Sequence, residues 1–152
     1  MKSNIMFVDD SISVLESLRW IFMDEPYHVF AFDNSLEALS AIEAKEFAVV
    51  VADQSMPEMA GIEFLEKVKQ RSPDTEGMIM YGFVEPWTAS NAINRGDVYR
   101  FIKKPFNNNE LKQAVEIAIA RYEINVQSRR ESISIFHQHH TAFSSQQQDL
   151  RL

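Results

Sequence analysis

The sequence predicts an α/β fold, a five-stranded parallel sheet with crossover helices, on three observations. Short apolar runs alternate with segments of helical period, the pattern of strands joined by helices that return the chain to the same edge of a sheet. The 152 residues fit one domain, and 45% hydrophobic with 11% aromatic residues suffice to fill one core. Acidic residues stand where apolar runs end, at Asp9, Asp10 and Asp53.

The strands are expected at Asn4 to Val8, His28 to Phe32, Ala48 to Ala52, Met78 to Gly82 and Tyr99 to Lys103. Between the first two, Val14, Leu15, Leu18, Ile21 and Phe22 recur at helical spacing before Pro26, a stripe that reads as core rather than as a cofactor box. The second helix should begin at Asn34, whose side chain can cap the backbone while Glu37 reaches back, with Leu36, Leu39 and Ile42 buried. The third runs from about Ile62 to Arg71 and stops before Ser72-Pro73, because the residue preceding a proline is pushed out of helical geometry. The fourth is expected from near Trp87 to Arg95 with Gly96 as its C-cap, and the fifth from near Asn109, burying Leu111, Val115 and Ile119. After about Gln127 the composition turns to Ser, Gln and His. A core domain is therefore expected over 1–127, and a helical extension or a disordered tail or linker over 128–152.

A formal net charge of −7 and a pI near 5.1 argue against a nucleic-acid surface, which needs clustered Lys and Arg to displace counterions. With no cysteine there is neither a disulfide framework nor a thiolate metal site. No stretch approaches the roughly 20 apolar residues of a membrane span, so a cytoplasmic protein without a membrane partner is expected.

In an open parallel sheet, ligands bind at the carboxyl ends of the strands. If the first and third strands are neighbours, Asp9, Asp10 and Asp53 meet in one pocket. Two carboxylates about 5 Å apart at an effective dielectric near 20 repel by roughly 3 kcal/mol, so the cluster calls for a positive partner. A hard divalent cation suits donors that are all oxygens, Mg²⁺ better than Zn²⁺ because no His or Cys lies in these loops. One aspartate alone would read as a turn or cap residue. Three of them, with Lys104 at the end of a further strand, read as a site equipped for phosphoryl transfer: Asp53 attacks phosphorus while the metal and the ammonium neutralise the transferring group. Lys103 reads as an ordinary surface lysine.

These residues resemble the bacterial two-component response-regulator receiver family over about Asn4 to Tyr122. The matching motifs are Met6 to Asp10, Asp53 to Gly61, and Lys104-Pro105. The resemblance implies a flavodoxin-like doubly wound (βα)5 fold with Asp53 as phosphoacceptor. It implies Asp10 as a direct metal ligand, Asp9 as a ligand through water, and the backbone carbonyl of Ser55 as a further ligand of Mg²⁺ or Mn²⁺. It also implies a cis Lys104-Pro105 bond, Phe101 as the switching aromatic, and a histidine kinase or histidine phosphotransfer protein as donor, with no turnover enzyme activity in this chain. Tyr81 departs from the pattern, standing where receivers carry Thr or Ser, and Gly82 keeps the small residue that follows. The phenol oxygen lies farther from the backbone than a threonine hydroxyl. An alternative is thus an atypical receiver, a protein-interaction or dimerisation scaffold with impaired phosphate switching. The stretch Ala92 to Phe101 resembles receivers fused to cyclic-dinucleotide enzymes.

A haloacid dehalogenase type phosphatase would need a second acid two residues after the nucleophile, where this chain has Ser55. His137, His139 and His140 read as solvated, since no carboxylate stands at a fixed spacing beside them. Finally, Val115, Ile119, Tyr122, Val126, Arg129, Ile133, Phe136, His140 and Phe143 alternate steps of four and three, the seam of a two-stranded coil. The last helix is therefore expected to run past Tyr122 to at least Ile133 and to serve a homodimer.

Overall fold

Burial on both faces is what the apolar runs demand, and the computed structural model, which describes residues 2–82 and 97–149 and side chains as far as 138, meets that demand with a parallel sheet. Its strands are β1 (Ser3–Val8), β2 (Tyr27–Phe32), β3 (Val49–Asp53), β4 (Glu76–Tyr81) and β5 (Arg100–Lys103). The spatial order β2-β1-β3-β4-β5 is the flavodoxin-like doubly wound order. The helices are α1 (Ile12–Ile21), α2 (Ser35–Ala44), α3 (Gly61–Arg71) and α4 (Asn108–Asp149). The fourth helix expected from Trp87 to Arg95, with Gly96, lies outside the described residues.

Two apolar layers follow from the two-residue period of the strands. Ile5, Phe7, Val49, Val51, Met78 and Met80 face α1 and α4, while Met6, Val8, Val50, Ala52 and Ile79 face α2 and α3. The central strands are sealed: Ile5 to Val8 and Val49 to Ala52 are all 0% exposed. Each fully buried large apolar side chain contributes about 1.5–3 kcal/mol relative to exposure. Along α1 and its C-cap, Leu15, Leu18 and Phe22 are buried and Val14 and Ile21 pack partly against them, as their spacing predicts.

In α2 the expectation for Leu36 fails. It is 58% exposed, and the inward face is instead Ser35, Ala38, Leu39 and Ile42. Those four follow the i, i+3, i+4, i+7 stripe, which leaves Leu36 about 100° off it despite its size. The Asn34 cap is present, accepting from the backbone N–H of Leu36 (2.8 Å) and Glu37 (3.2 Å).

Helix α4 begins where the Asn107 side chain accepts from Glu110 N–H (3.1 Å). It contains no Gly or Pro through Asp149, so the Ser, Gln and His that mark the composition shift lower helix propensity without ending the helix. The chain divides into a first unit reaching Tyr122 and a second from Glu123 onward. In the first, Leu111, Ala114, Val115, Ala118 and Ile119 are buried and Tyr122 packs partly against them. The early members of the heptad seam are thus domain core. In the second, Ile133 and Phe136 are 50% and 66% exposed. Among the described residues, no helix is long and apolar enough to cross a membrane.

The start of α3 is positioned by β3. Ala60 offers no side-chain cap; Gly61 N–H donates to the Gln54 carbonyl (3.1 Å) and Ile62 N–H to Gln54 Oε1 (3.0 Å). The approach is so close that a Cβ at Gly61 would lie 2.5 Å from the carbonyl oxygen of Asp53 and 2.9 Å from Ile79 Cδ1. Backbone cannot yield as a flexible side chain can. Gly61→Ala should therefore lower stability in urea unfolding by about 1–3 kcal/mol; an unchanged midpoint would show that α3 does not need this approach.

Candidate functional site

The topological switch point lies between β1 and β3, whose carboxyl ends carry the acidic residues. Asp9 follows β1 and is 1% exposed, with its N–H bonded to the Phe32 carbonyl (3.1 Å). Its Oδ1 accepts from Ser11 N–H (2.9 Å), and Ser11 in turn caps α1. Asp53 closes β3 at 6% exposure, whereas Asp10 is exposed.

Lys104, just past β5, enters the same pocket. Its Nζ lies 2.8 Å from Asp9 Oδ2 and 2.9 Å from Asp53 Oδ1, so one ammonium bridges both buried carboxylates. Its backbone N–H donates to the Tyr81 carbonyl (2.7 Å), and the Lys104-Pro105 bond is cis. Lys103 is exposed.

Burial pushes the Asp53 carboxyl above its ordinary value of 3.8, Asp9 and Asp10 push the same way, and the hydrogen bond and charge of Lys104 draw it back without cancelling the rise. For Lys104, burial pulls the ammonium down, but hydrogen bonds and charges from Asp9 and Asp53 outweigh it, and the group ends above its ordinary value. One positive charge among three carboxylates leaves the pocket short of cations.

Asp9, Asp10 and Asp53 each offer an oxygen within 4.8 Å of the others. An all-oxygen set of this span fits a hard divalent cation such as Mg²⁺ or Mn²⁺ and lacks the nitrogen or sulfur that Zn²⁺ favours. Ser55 stays exposed in the connection two residues past Asp53.

Tyr81 and Phe101 form a second group. They sit diagonally on the paired strands β4 and β5, ring centroids 6.4 Å apart at 66°. The segment that follows Gly82 lies outside the described residues as far as Gly96, and with it residues 92–96 of the stretch from Ala92 to Phe101. His137 is exposed, its ring 6.0 Å from that of Phe136. Sequence reasoning overlooked Gln54 and Gly61 as the pair that docks α3 against Asp53. The available signal was a glycine opening a helical stripe eight residues after a strand-end acid.

The pKa directions give a stability test. A carboxyl raised in the fold favours its protonated form there, so its contribution is present below the unfolded pKa and is lost as pH rises through the folded one. In chelator, Asp53→Asn should melt above wild type near neutral pH, with the gap closing toward about pH 3. A gap that stayed constant with pH would contradict the assignment of strain to the ionised Asp53.

Comparison with known proteins agrees with this geometry. Residues 5–116 match the response regulator receiver domain family. The transcriptional regulatory protein FixJ of Bradyrhizobium diazoefficiens is 31% identical over 122 residues, covering 80% of this chain and 59% of FixJ. The chain thus spans under two thirds of the length of that curated relative. Among solved structures, the adenylate cyclase from Rhodopirellula baltica superposes with a TM-score of 0.80 at 30% identity, covering 88% of this chain and 98% of that one. The beryllofluoride-activated NtrC4 receiver domain dimer gives 0.73 at 32%, covering 78% and 98%. The buried Asp53, the acidic cluster and the bridging lysine, set on a sheet ordered β2-β1-β3-β4-β5, therefore place this chain in the response regulator receiver domain family of two-component systems.

Proposed function

We propose that this receiver accepts a phosphoryl group on Asp53 from a phosphohistidine donor, a histidine kinase or histidine phosphotransfer protein in the cytoplasm. The carrying observation is Lys104 Nζ held 2.9 Å from Asp53 Oδ1 inside the acidic cluster. An Asp53 oxygen forms the bond to phosphorus as the phosphorus–nitrogen bond of the donor breaks, and the electron pair stays on the imidazole. Lys104 supplies a point charge to the phosphoryl oxygens and Asp9 orients it. Asp9, Asp10, Asp53 and the Ser55 carbonyl would hold Mg²⁺ or Mn²⁺, which when bound supplies further positive charge to the transferring group. The chain then acts as a phosphoacceptor and not as a turnover enzyme.

A protein donor has a place to rest. A groove of about 600 Å³ bordered by Val14, Trp20, Ile21, Lys104, Pro105 and Phe106 opens beside the lysine, and Trp20 is 72% exposed. Large exposed aromatics anchor protein interfaces. The self-association expected of the C-terminal helix also belongs to this reading, with a second copy of the chain as partner.

The Tyr81–Phe101 contact favours a second reading, an atypical receiver serving as a protein-interaction or dimerisation scaffold with impaired switching. A ring already packed on Phe101 has less freedom to follow a phosphoryl group than a threonine hydroxyl.

Phosphoryl labelling tests the main reading. Label should appear on wild type with Mg²⁺ or Mn²⁺, vanish in Asp53→Asn and vanish in chelator; label persisting in either case would sink it. Trp20→Ala should slow transfer from a phosphorylated kinase about tenfold or more while leaving labelling by a small phosphodonor unchanged. The two readings part on Tyr81→Thr. If phosphorylation alters the backbone amide spectrum of β4 and β5 only in that variant, the scaffold reading holds; an equal response in wild type excludes it.

A further inference from the structure

The connection that follows Asp53 is closed at its neck by one residue. Gln54 N–H donates to the Met80 carbonyl of β4 (2.9 Å), its carbonyl accepts from Gly61 N–H (3.1 Å), and its side-chain Oε1 accepts from Ile62 N–H (3.0 Å). The first N–H groups of a helix have no partner within the helix, and Ala60, at the N-cap of α3, supplies no side-chain bond. A residue at the strand end therefore does the capping, with its side chain holding a helix residue eight positions away.

A cap alone needs no such reach. Ala60 already has the extended backbone of a capping residue (φ −62°, ψ 150°), where Ser or Asn would serve the same helix locally. What the distant cap adds is a tie between the two ends of the segment 54–60. Within that segment stands Ser55, whose carbonyl is proposed above to help hold the cation. On one side of it is Gln54, bonded to β4, Gly61 and Ile62; on the other is Met56, 9% exposed and packed in the layer that faces α2 and α3. Ser55 itself is exposed, so its backbone is held through its two neighbours.

Resting on the proposed Mg²⁺ site and deepening it, we infer that Gln54 is a positioning residue that sets the ionic selectivity of the acidic cluster. Mg²⁺ demands near-ideal octahedral geometry, whereas Ca²⁺ accepts oxygen ligands in flexible arrangements. The carboxylates of Asp9, Asp10 and Asp53 attract both ions, and charge alone does not separate them. Loosening the neck frees the Ser55 peptide to turn, which penalises the ion with the strict geometry more than the ion with the loose one.

Calorimetric titration of Mg²⁺ and Ca²⁺ into the full chain reads this selectivity, because the ratio of the two dissociation constants removes any effect common to both ions. Gln54→Met keeps the length of the side chain and deletes the acceptor. Its Mg²⁺ affinity is expected to fall about tenfold, as when the partner of a metal ligand is removed, and its Ca²⁺ affinity by no more than about threefold. Gln54→Glu keeps an acceptor for Ile62 N–H and should hold the ratio within about twofold of wild type. Combining Gln54→Met with Ala60→Ser returns a cap to α3 without the tie, so the thermal midpoint should recover while the ratio stays shifted. That double variant also carries the test should the single one fail to fold. A wild-type ratio in Gln54→Met, or its recovery in the double variant, would reduce Gln54 to a helix cap and overturn this inference, with the Mg²⁺ site left standing. A wild type that binds no Mg²⁺, or binds it as tightly after Asp10→Asn, would overturn the site and the inference together.

Discussion

Everything at the working end of this molecule depends on one ammonium group bridging two buried carboxylates. Asp9 and Asp53 stand at the ends of two neighbouring interior strands of the sheet, and their like charges would repel if Lys104 did not lie within 2.9 Å of both. The interior strands cannot separate to relieve that repulsion, because Ile5 to Val8 and Val49 to Ala52 are packed on both faces. The charge problem is therefore solved locally, by a lysine delivered from β5 across the intervening β4, whose Tyr81 carbonyl fixes its backbone.

The solution is incomplete, and the remainder supports the phosphoryl transfer proposed for the site. A pocket fully neutralised by its own lysines would have no call on a divalent cation. With Asp53 still raised above its ordinary pKa and Asp10 open to solvent, the acidic cluster is left with fewer positive than negative charges. Stability given up at such a site is the usual accompaniment of function.

At the opposite end of the sheet a different contact ties the same strands to the last helix. Glu76, which opens β4 and is 6% exposed, lies 3.5 Å from Arg121 Nε, and the guanidinium of Arg121 stacks 4.4 Å from the Tyr99 ring just ahead of β5. The strands that carry Tyr81 and Phe101 thus also meet the final domain turn of α4. Cation–π contacts of this sort contribute about 0.5–1 kcal/mol at exposed sites. Here the contact supplements a buried carboxylate that must have polar partners.

How far the sequence alone reached can be judged from particular residues. Strand order was legible only in part: Val49-Val50-Val51-Ala52 announced a buried strand, but its place beside β1 came from the doubly wound resemblance until the pairing of Ile5 with Val49 showed it. Asp9, Asp10, Asp53 and Lys104 could be picked out because chemistry-bearing residues at strand ends are a local signal. Leu36 could not be assigned correctly, because which side of a helix faces inward is set by neighbours, and small Ser35 and Ala38 won the contact. The docking role of Gln54 and Gly61 left no trace in hydrophobic period, since that period does not record a close approach of backbones, and its mark was the glycine that opens the α3 stripe. The stripe through Val115 and Val126 is a helical periodicity whose first half packs on the sheet. The sequence by itself determined its periodicity, but only the tertiary structure decided that the first half is domain core, because periodicity records which residues share a face and not what covers it.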